Sequence, residues 1–199
     1  MRKEILPNSH LGAKAIISTV VEGENLPNAL NRISRDKIRQ LMNYANLRKG
    51  QTVLEMFAGS NMATAIFAKR LAYPDRLTAL DIHYSLDAGW RYVYEENYRR
   101  QARLEGVRSK RMPNFLAADA REVPLSDESF DCILTPDSPR MRSNPTWQKD
   151  LFLLAGLEAR RLLKRDGIYA ATCYPSWGEA LKYIFSEIEM QDCYVRCRK

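Results

Sequence analysis

The stretch VLEMFAGSN, residues 53–61, has the composition of a turn that could hold a ligand. It reads as a buried strand followed by residues 58–61, which are small or tolerate a positive φ and so let backbone approach a bound molecule. A helix predicted from Met62 would point its first amide groups into the same crevice and favour a polar or anionic group. Because it holds a single glycine, the turn alone is also compatible with a purely structural role.

Two aspartates that end later predicted strands strengthen the case for a ligand. Asp81 closes LTALDI about 20 residues beyond the turn, where a carboxylate can accept a ribose hydroxyl. Asp119 in FLAADARE closes the next strand, where a short carboxylate could receive the exocyclic amine of an adenine. An N-cap or a turn is the alternative role for Asp119. Ligands of doubly wound sheets bind beyond the carboxyl ends of the strands, so we expect these residues to meet at one edge.

The elements that would position these residues alternate between short β-like runs and longer helical runs. This is the pattern of a mostly parallel sheet covered by helices, and it predicts a doubly wound α/β fold. Apolar spacing predicts helices at 33–47, 62–71, 85–105, 147–163 and 177–188, with Ser34 as the first N-cap. It predicts strands from Thr52 and at 77–82, 114–118, 130–135, 168–173 and 193–197, the last a sixth strand that could be antiparallel and at the edge.

The composition suits one globular domain. The chain has 199 residues, 45% of them hydrophobic, and we divide it into an N-terminal extension, residues 1–32, and a single domain, residues 33–199. The extension could cover a ligand, grip an acceptor or pack as an arm. Neither the apolar core of a secretory signal nor a long uncharged apolar run occurs, which predicts a cytoplasmic protein. Four scattered cysteines and two histidines predict neither disulfides nor a metal site.

A basic segment contributes much of the net charge of +7, which permits an anionic partner such as nucleic acid. Its cations lie between Tyr98 and Met112, where Glu105 is the single acid. They are Arg99, Arg100, Arg103, Arg108, Lys110 and Arg111, and Arg140 and Arg142 follow later in the chain. The segment could face phosphates or form only the solvated side of a helix.

These motifs resemble the class I S-adenosylmethionine-dependent methyltransferases over residues 33–173. VLEMFAGSN is similar to motif I of that family, LTALDI to motif II, NFLAADAREVPLSDESFDCIL to its third and fourth strands, and LLKRDGIYAATCY to its fifth. The last glycine of motif I is replaced by Asn61, the non-glycine residue that best tolerates the left-handed conformation. Within motif I, the residues FAGS at 57–60 most resemble those of the branch that methylates exocyclic amines or guanine nitrogens of nucleic acids.

The resemblance implies a Rossmann-like methyltransferase sheet of about six to seven strands and S-adenosylmethionine as cofactor. The residues that it places around the cofactor are Glu55, Met56, Phe57, Ala58, Gly59, Ser60, Asn61, Asp81, Ile82, Asp119, Ala120 and Thr135. Among these, Glu55 takes the acidic position of motif I and Asp81 that of the ribose ligand. An NAD enzyme is a more distant alternative, because closer approach to a pyrophosphate needs further glycines where Phe57 and Asn61 stand.

The acceptor would be held after the fourth strand, in TPDSPR, residues 135–140. Amino-methyltransferases of nucleic acids carry Asp/Asn/Ser-Pro-Pro-aromatic there, and the partial match implies catalytic roles for Asp137, Ser138 and Pro139. Arg140 stands where an aromatic is expected, and it could stack on a base or contact phosphate. The alternative is a loop that only closes the pocket.

Cys173 offers a different chemistry. RNA 5-methylcytosine enzymes place a nucleophilic cysteine in a Thr-Cys pair at this strand end. Those enzymes usually also carry Pro-Cys after strand four, where this chain has Pro136 followed by Asp137. A lone buried cysteine is more often a small apolar filler.

We therefore expect a methyltransferase that acts on a base nitrogen of RNA or DNA by direct in-line transfer, with tRNA or rRNA favoured as partner. A small-molecule methyltransferase and a catalytically silent methyltransferase-like binding protein are the alternatives. The chain ends about where such folds add a seventh strand, so an open sheet edge could pair with a second copy, and a homodimer is a hypothesis.

Overall fold

The computed structural model describes residues 34–59, 61–85, 88–108, 110–136 and 145–199. Their helices are α1 (Arg35–Tyr44), α2 (Met62–Leu71), α3 (Ala88–Glu105), α4 (Pro145–Leu162) and α5 (Pro175–Ala180), with 3-10 turns at Pro74–Arg76, Ile82–Ser85 and Leu181–Tyr183. The strands are β1 (Val53–Met56), β2 (Leu77–Leu80), β3 (Asn114–Leu116), β4 (Phe130–Thr135), β5 (Leu163–Thr172), β6 (Glu187–Gln191) and β7 (Tyr194–Arg198). The extension at 1–32 and the predicted residues Asp137, Ser138, Pro139, Arg140 and Arg142 lie outside the described residues.

The strands form one seven-stranded sheet in the order β3-β2-β1-β4-β5-β7-β6. Strands β1 to β5 are parallel, and β7 runs antiparallel to both β5 and β6. The predicted doubly wound, mostly parallel α/β fold is confirmed. The strand order reverses between β1 and β4, which is the position where ligands of such sheets bind.

Strand β1 shows why both faces of the sheet are covered. All four of its residues are buried. Val53 belongs to the core that α1, α2 and α3 build on one face, whereas Leu54 and Met56 belong to the core that α4 and α5 build on the other. A parallel strand packed on both sides reads as a continuous apolar run rather than an alternating one. The candidate ligand-binding turn begins directly after this buried strand.

Several predicted elements have the predicted bounds. Helix α2 and strand β4 match residue for residue, and the Ser34 hydroxyl caps α1 by accepting the Lys37 N–H at 3.2 Å. Strand β5 begins earlier than its predicted start at 168. Leu163 pairs with Phe130 on β4, and after a bulge Ile168 pairs with Cys132.

The carboxyl-terminal prediction is wrong in two respects. The helix predicted at 177–188 is divided between α5, a 3-10 turn and β6, and the strand predicted at 193–197 is β7, which lies inside the sheet. Its antiparallel direction is as predicted, but β6 and β3 form the edges of the described sheet. A seventh strand is therefore present.

Across the described residues, no helix is both long and apolar enough to cross a membrane.

Candidate functional site

The turn after β1 adopts left-handed backbone at three alternate positions. The φ angles are 60° at Phe57, 48° at Gly59 and 62° at Asn61. Residues with side chains rarely adopt this conformation, which normally selects glycine. The turn thus has the backbone shape of a glycine-rich loop although two of the three positions carry side chains. Asn61 behaves as its residue type predicts, whereas nothing in the sequence indicates a left-handed Phe57.

Asp81 lies directly against this turn. The Gly59 N–H donates to Asp81 Oδ2 at 2.9 Å, and the Ala58 N–H donates to the Leu80 carbonyl at 3.0 Å. The Asp81 N–H donates to the Leu116 carbonyl on β3 at 3.1 Å, and the Asp81 side chain is largely buried. These bonds hold the ends of β1, β2 and β3 together. They also fix the Asp81 carboxylate at the edge where the fold binds ligands.

Asn61 connects the turn to two tyrosines that the sequence analysis missed. Its side-chain amide donates to the Tyr94 carbonyl at 2.9 Å, and its Oδ1 accepts from the Tyr84 hydroxyl at 2.5 Å. The Tyr84 ring packs edge-to-face on Tyr94 and Phe115, with centroids 4.6 and 5.5 Å apart. The turn is therefore fastened to α3 and β3. The sequence hint to this contact is that Tyr84 follows Asp81 by three residues and so lies near the same strand end.

Glu55 on β1 carries a fully buried carboxyl group. Neither of its oxygens has a hydrogen-bond partner among the described residues, since the nearby Thr64 hydroxyl donates to Asn61 Oδ1 at 3.3 Å. Burial raises the pKa of Glu55 to about 8; the nearby Thr64 hydroxyl opposes the increase although it donates to Asn61, and the Asp81 carboxylate adds to it. Glu55 is therefore mostly protonated at neutral pH. To pair with a cationic ligand group, this buried acid would have to lose its proton on binding.

Asp119 follows β3 as predicted, but Arg121 occupies its carboxylate. Arg121 Nε lies 3.0 Å from both oxygens, Nη2 lies 2.5 Å from Oδ2, and the Arg121 N–H donates to Oδ1 at 2.9 Å. Burial alone would raise the pKa of Asp119, but the bonds from Arg121 lower it below its ordinary value. The Asp119 carbonyl also accepts the Glu122 N–H at 3.1 Å, so a turn role is satisfied. An adenine amine would have to share this carboxylate with Arg121 or displace it.

The other described residues predicted at the cofactor lie at or just beyond the carboxyl ends of β1 to β4. Those that are buried are Met56, Ala58, Ala120 and Thr135. Ile82, directly after Asp81, is 54% exposed and presents an apolar surface beside the carboxylate. Ser60 lies outside the described residues.

Cys173 has the features of a packed apolar side chain. It is buried at the end of β5, and its N–H donates to the Cys193 carbonyl at 2.9 Å. Burial raises the pKa of the Cys173 thiol to about 12, although a backbone hydrogen bond from Gly178 opposes the increase. A nucleophilic cysteine requires the thiolate. The structure therefore gives no support to the Cys173 nucleophile.

The predicted basic segment is divided between paired and unpaired cations. Ion pairs within the chain are made by Arg99 with Glu95 and Glu96, by Arg103 with Glu96 and by Arg111 with Asp75. Arg100, Arg108 and Lys110 are exposed and make no ion pair with the described residues. An acid beside a surface arginine reduces its attraction for phosphate, so the unpaired three are the stronger candidates for contact with an anion.

A groove lies at the opposite end of the sheet, beside the amino ends of the strands. It encloses about 490 Å³ between the loop at 48–51 and the bulge at 164–167. Asp131 in this groove accepts the Thr52 N–H at 2.7 Å and Lys164 Nζ at 2.8 Å. These bonds join the starts of β1, β4 and β5, so the carboxylate has a structural role there.

Several solved structures with a similar fold are described as methyltransferases. The chain is similar to the 1,6-didemethyltoxoflavin-N1-methyltransferase of Burkholderia thailandensis, a structure with bound 1,6-didemethyltoxoflavin and S-adenosylhomocysteine, at 15% identity and a TM-score of 0.60 over 100% of this chain and 93% of that one. It is similar to a candidate S-adenosyl-L-methionine-dependent methyltransferase of Methanococcus maripaludis at 15% identity and a TM-score of 0.53, over 100% and 97% of the two chains. It is also similar to TrmN from Thermus thermophilus at 21% identity and a TM-score of 0.52, over 81% of this chain.

At these identities the likeness shows the fold alone, and the fold is that of class I S-adenosylmethionine-dependent methyltransferases. The chain spans about half the length of some similar structures, 46% of TrmN and 54% of the MccD protein. No family model matches the sequence, and no curated protein matches it.

Proposed function

We propose that this chain is an S-adenosylmethionine-dependent methyltransferase. The observation that carries the proposal is the contact between the left-handed turn and Asp81, with Gly59 N and Asp81 Oδ2 2.9 Å apart at the strand ends where the fold binds ligands. The bound S-adenosylhomocysteine of the similar toxoflavin enzyme supports the same cofactor class.

The residues present fit that cofactor. We assign to Asp81 the ribose hydroxyls and to exposed Ile82 an apolar contact with the adenine. Buried Glu55 would pair with a cationic group once it loses its proton. When bound, S-adenosylmethionine supplies a methyl group already activated on a sulfonium. The chain then needs mainly to align an acceptor and to keep water out, which is consistent with the absence of an evident acid–base pair among the described side chains at the turn.

For the acceptor we propose a base nitrogen in nucleic acid, with Asp137 orienting the amine. Arg100, Arg108 and Lys110 are exposed and make no ion pair with the described residues, which supports an anionic partner. Methylation of a free nitrogen heterocycle is the second candidate. It is favoured by the likeness to the toxoflavin enzyme over nearly the whole of both chains and by the internal pairing of half of the basic segment.

The first test is calorimetric titration with S-adenosylmethionine and S-adenosylhomocysteine. We expect saturable binding to the wild-type chain and a loss of about tenfold or more in affinity for Asp81→Ala, because a ribose contact disappears and the turn loses the acceptor for Gly59 N–H. The matched control is Asp75→Ala. This exposed aspartate lies at the other end of β2, where it pairs with Arg111, and its loss should leave cofactor affinity unchanged.

Three outcomes separate the functions. Binding weakened by Asp81→Ala but not by Asp75→Ala supports the cofactor site and justifies assays of methyl transfer to RNA, DNA and free heterocycles. Equal effects of the two variants would disprove the role of Asp81. No heat and no thermal shift with either ligand would leave the turn as a structural feature and favour a methyltransferase-like binding protein.

A further inference from the structure

We propose that Tyr174 is the surface on which the acceptor stacks, and that the acceptor is a planar nitrogen heterocycle. The inference rests on the proposed methyltransferase function. It names an aromatic residue, which the predicted acceptor loop after β4, residues 135–144, does not contain. Its support comes from the place of Tyr174 in the sheet, its rigid packing and the distribution of the other exposed rings.

Tyr174 lies at the ligand-binding edge, beside the start of the predicted acceptor loop. It follows β5 by two residues. The hydroxyl of Thr172, the last residue of β5, donates to the carbonyl of Pro136 directly after β4. This bond ties the end of β5 to the point where the acceptor loop leaves the sheet. Tyr174 therefore projects from the strand neighbouring that loop.

The Tyr174 ring packs against a buried tryptophan but remains exposed. Its centroid lies 5.0 Å from that of Trp177 at an interplanar angle of 72°, and Trp177 is buried against Phe152 with centroids 5.6 Å apart. Tyr174 itself is 55% exposed. An aromatic ring fixed by a buried neighbour loses little conformational freedom when a second ring stacks on it. The arrangement is that of a preorganised platform.

The acceptor loop cannot supply such a ring. Residues 135–144, TPDSPRMRSN, contain no aromatic, and Arg140 stands where base-methylating enzymes of this family carry one. The large aromatic side chains that are exposed among those described are Tyr73, Tyr174 and Tyr183. Tyr73 precedes the turn that enters β2, and Tyr183 precedes β6, which runs parallel to β5, so both lie toward the amino ends of the strands. Of the three, Tyr174 alone lies at the ligand edge.

An exposed ring face attracts a planar π-system such as a purine, a pyrimidine or a fused nitrogen heterocycle. The hydroxyl of the phenol is not needed for stacking. Two sources share this chemistry, a base within a nucleic acid strand and a free heterocycle, and the test below separates them.

The experiment compares the full chain with Tyr174→Ala, Tyr174→Phe and the control Tyr183→Ala. Each protein is first titrated with S-adenosylhomocysteine, where all four should agree. Fluorescence anisotropy then measures binding of a short labelled RNA that contains all four bases and of an abasic phosphodiester strand of the same length. Adenosine, guanosine and cytidine serve as free heterocycles in competition.

We expect Tyr174→Ala to lose about tenfold or more in affinity for base-bearing ligands and to keep its affinity for the abasic strand. Tyr174→Phe should retain wild-type affinity because the ring face remains, and Tyr183→Ala should match the wild type. If Tyr174→Ala loses affinity for the RNA but not for the nucleosides, the acceptor is a base in a strand. If it loses affinity for the nucleosides, the acceptor is a free heterocycle.

Equal affinities of Tyr174→Ala and Tyr183→Ala would overturn the inference, and so would a wild-type chain that binds none of the base-bearing probes. Failure of every protein to bind S-adenosylhomocysteine, with the Tyr174 effect intact, would instead overturn the methyltransferase function and leave a heterocycle-binding surface.

Discussion

Asn61 combines a backbone role and a side-chain role at one position. It holds the left-handed end of the turn with φ of 62°, and its side chain bonds the Tyr94 carbonyl and the Tyr84 hydroxyl. A glycine would satisfy only the first requirement. The substitution of asparagine for the usual glycine is therefore not a simple degradation of the motif, because the amide adds bonds that glycine cannot make.

Replacing Asn61 separates the two roles. Asn61→Gly loses the hydrogen bonds to Tyr84 and Tyr94 but keeps a residue suited to positive φ, and we expect it to lower the free energy of unfolding by about 1–3 kcal/mol. Asn61→Ala loses the same bonds and adds the left-handed penalty, so it should cost about 1 kcal/mol more. Urea unfolding monitored by circular dichroism measures both. An alanine variant at least as stable as the glycine variant would contradict the backbone role.

Glu55 should make stability depend on pH. Its pKa rises from 4.5 to about 8 on folding. Below 4.5 the carboxyl is protonated in both states and costs nothing. Between these values the unfolded chain ionises at Glu55 while the folded chain keeps its proton, which favours unfolding. The free energy of unfolding therefore falls as pH rises from 4.5 and stops falling above about 8. Glu55→Gln should remove that dependence and raise the melting temperature most at pH above 8.

Glu158 provides a control of opposite sign. Hydrogen bonds from Arg161 hold the pKa of Glu158 below its ordinary value, so its ionised form stabilises the folded chain above that value and the effect is lost on acidification. Glu158→Gln should therefore lower the melting temperature at pH 8 and approach the wild type in acid. Thermal unfolding of both variants from about pH 3 to about pH 9 provides the measurement. Parallel profiles for the two variants would refute the assignment of Glu55.

Part of the site follows from the sequence at this scale. The positions of Asp81 and Asn61 are set by strand ends and turn chemistry, which are local properties. The left-handed Phe57 and the bonding of Arg121 to Asp119 depend on packing and charge neighbours that only the folded chain assembles. Sequence spacing thus predicted that these residues lie at strand ends, but not which partners their side chains bond.

At the scale of elements, the bulge in β5 is where backbone shape constrains sequence most tightly. Residues 164–167 lie between Leu163, paired with Phe130, and Ile168, paired with Cys132. Asp166 takes a φ of 62° within it. A Cβ on Gly167 would lie 2.9 Å from the Lys164 carbonyl oxygen and 2.9 Å from Leu163 Cδ2. A backbone oxygen inside a sheet cannot move aside easily, so the bulge requires glycine at 167.

Gly167→Ala should therefore destabilise the chain by about 1–3 kcal/mol through overpacking. Gly50→Ala is the comparison. Gly50 lies in the turn before β1, with a φ of 84° and open space around its Cβ position. That variant should show only the cost of positive φ, about 1–2 kcal/mol. Chemical unfolding midpoints test the pair. A Gly167→Ala variant with wild-type stability would disprove the steric account.

The region at 177–188 shows why one element was predicted wrongly. Leu181, Ile184, Phe185 and Ile188 recur at helical spacing. In the structure Leu181 lies in a 3-10 turn and Phe185 in the segment after it, and both side chains are buried. Ile188 belongs to β6. Strand β6 is stabilised by pairing with β7, including ion pairs of Glu187 with Arg198 and of Glu189 with Arg196. Such cross-strand partners leave no signal in local periodicity, whereas α2 and β4, set by local patterns, were predicted residue for residue.

At the scale of the whole molecule, the number of cations in the basic segment overstates the number open to a partner. Half of the basic segment is paired internally, because Glu95, Glu96 and Asp75 bond to its arginines. Arg100, Arg108 and Lys110, which make no ion pair with the described residues, are therefore the cations whose number should set the salt dependence of binding to nucleic acid. Each phosphate contact that they make releases counterions.

Two triple variants test this division. Changing Arg100, Arg108 and Lys110 to Ala should lower the slope of log affinity for a short RNA against log salt by about 2, because each removed phosphate contact contributes roughly 0.7 for a single strand. Changing Arg99, Arg103 and Arg111 to Ala removes the same formal charge but mostly cations already paired with acids. Its slope should therefore change by less. Anisotropy titrations over a range of salt concentrations measure both slopes. Equal slopes for the two triples would mean that the segment makes no specific phosphate contacts, which would shift the acceptor assignment from nucleic acid to a free heterocycle.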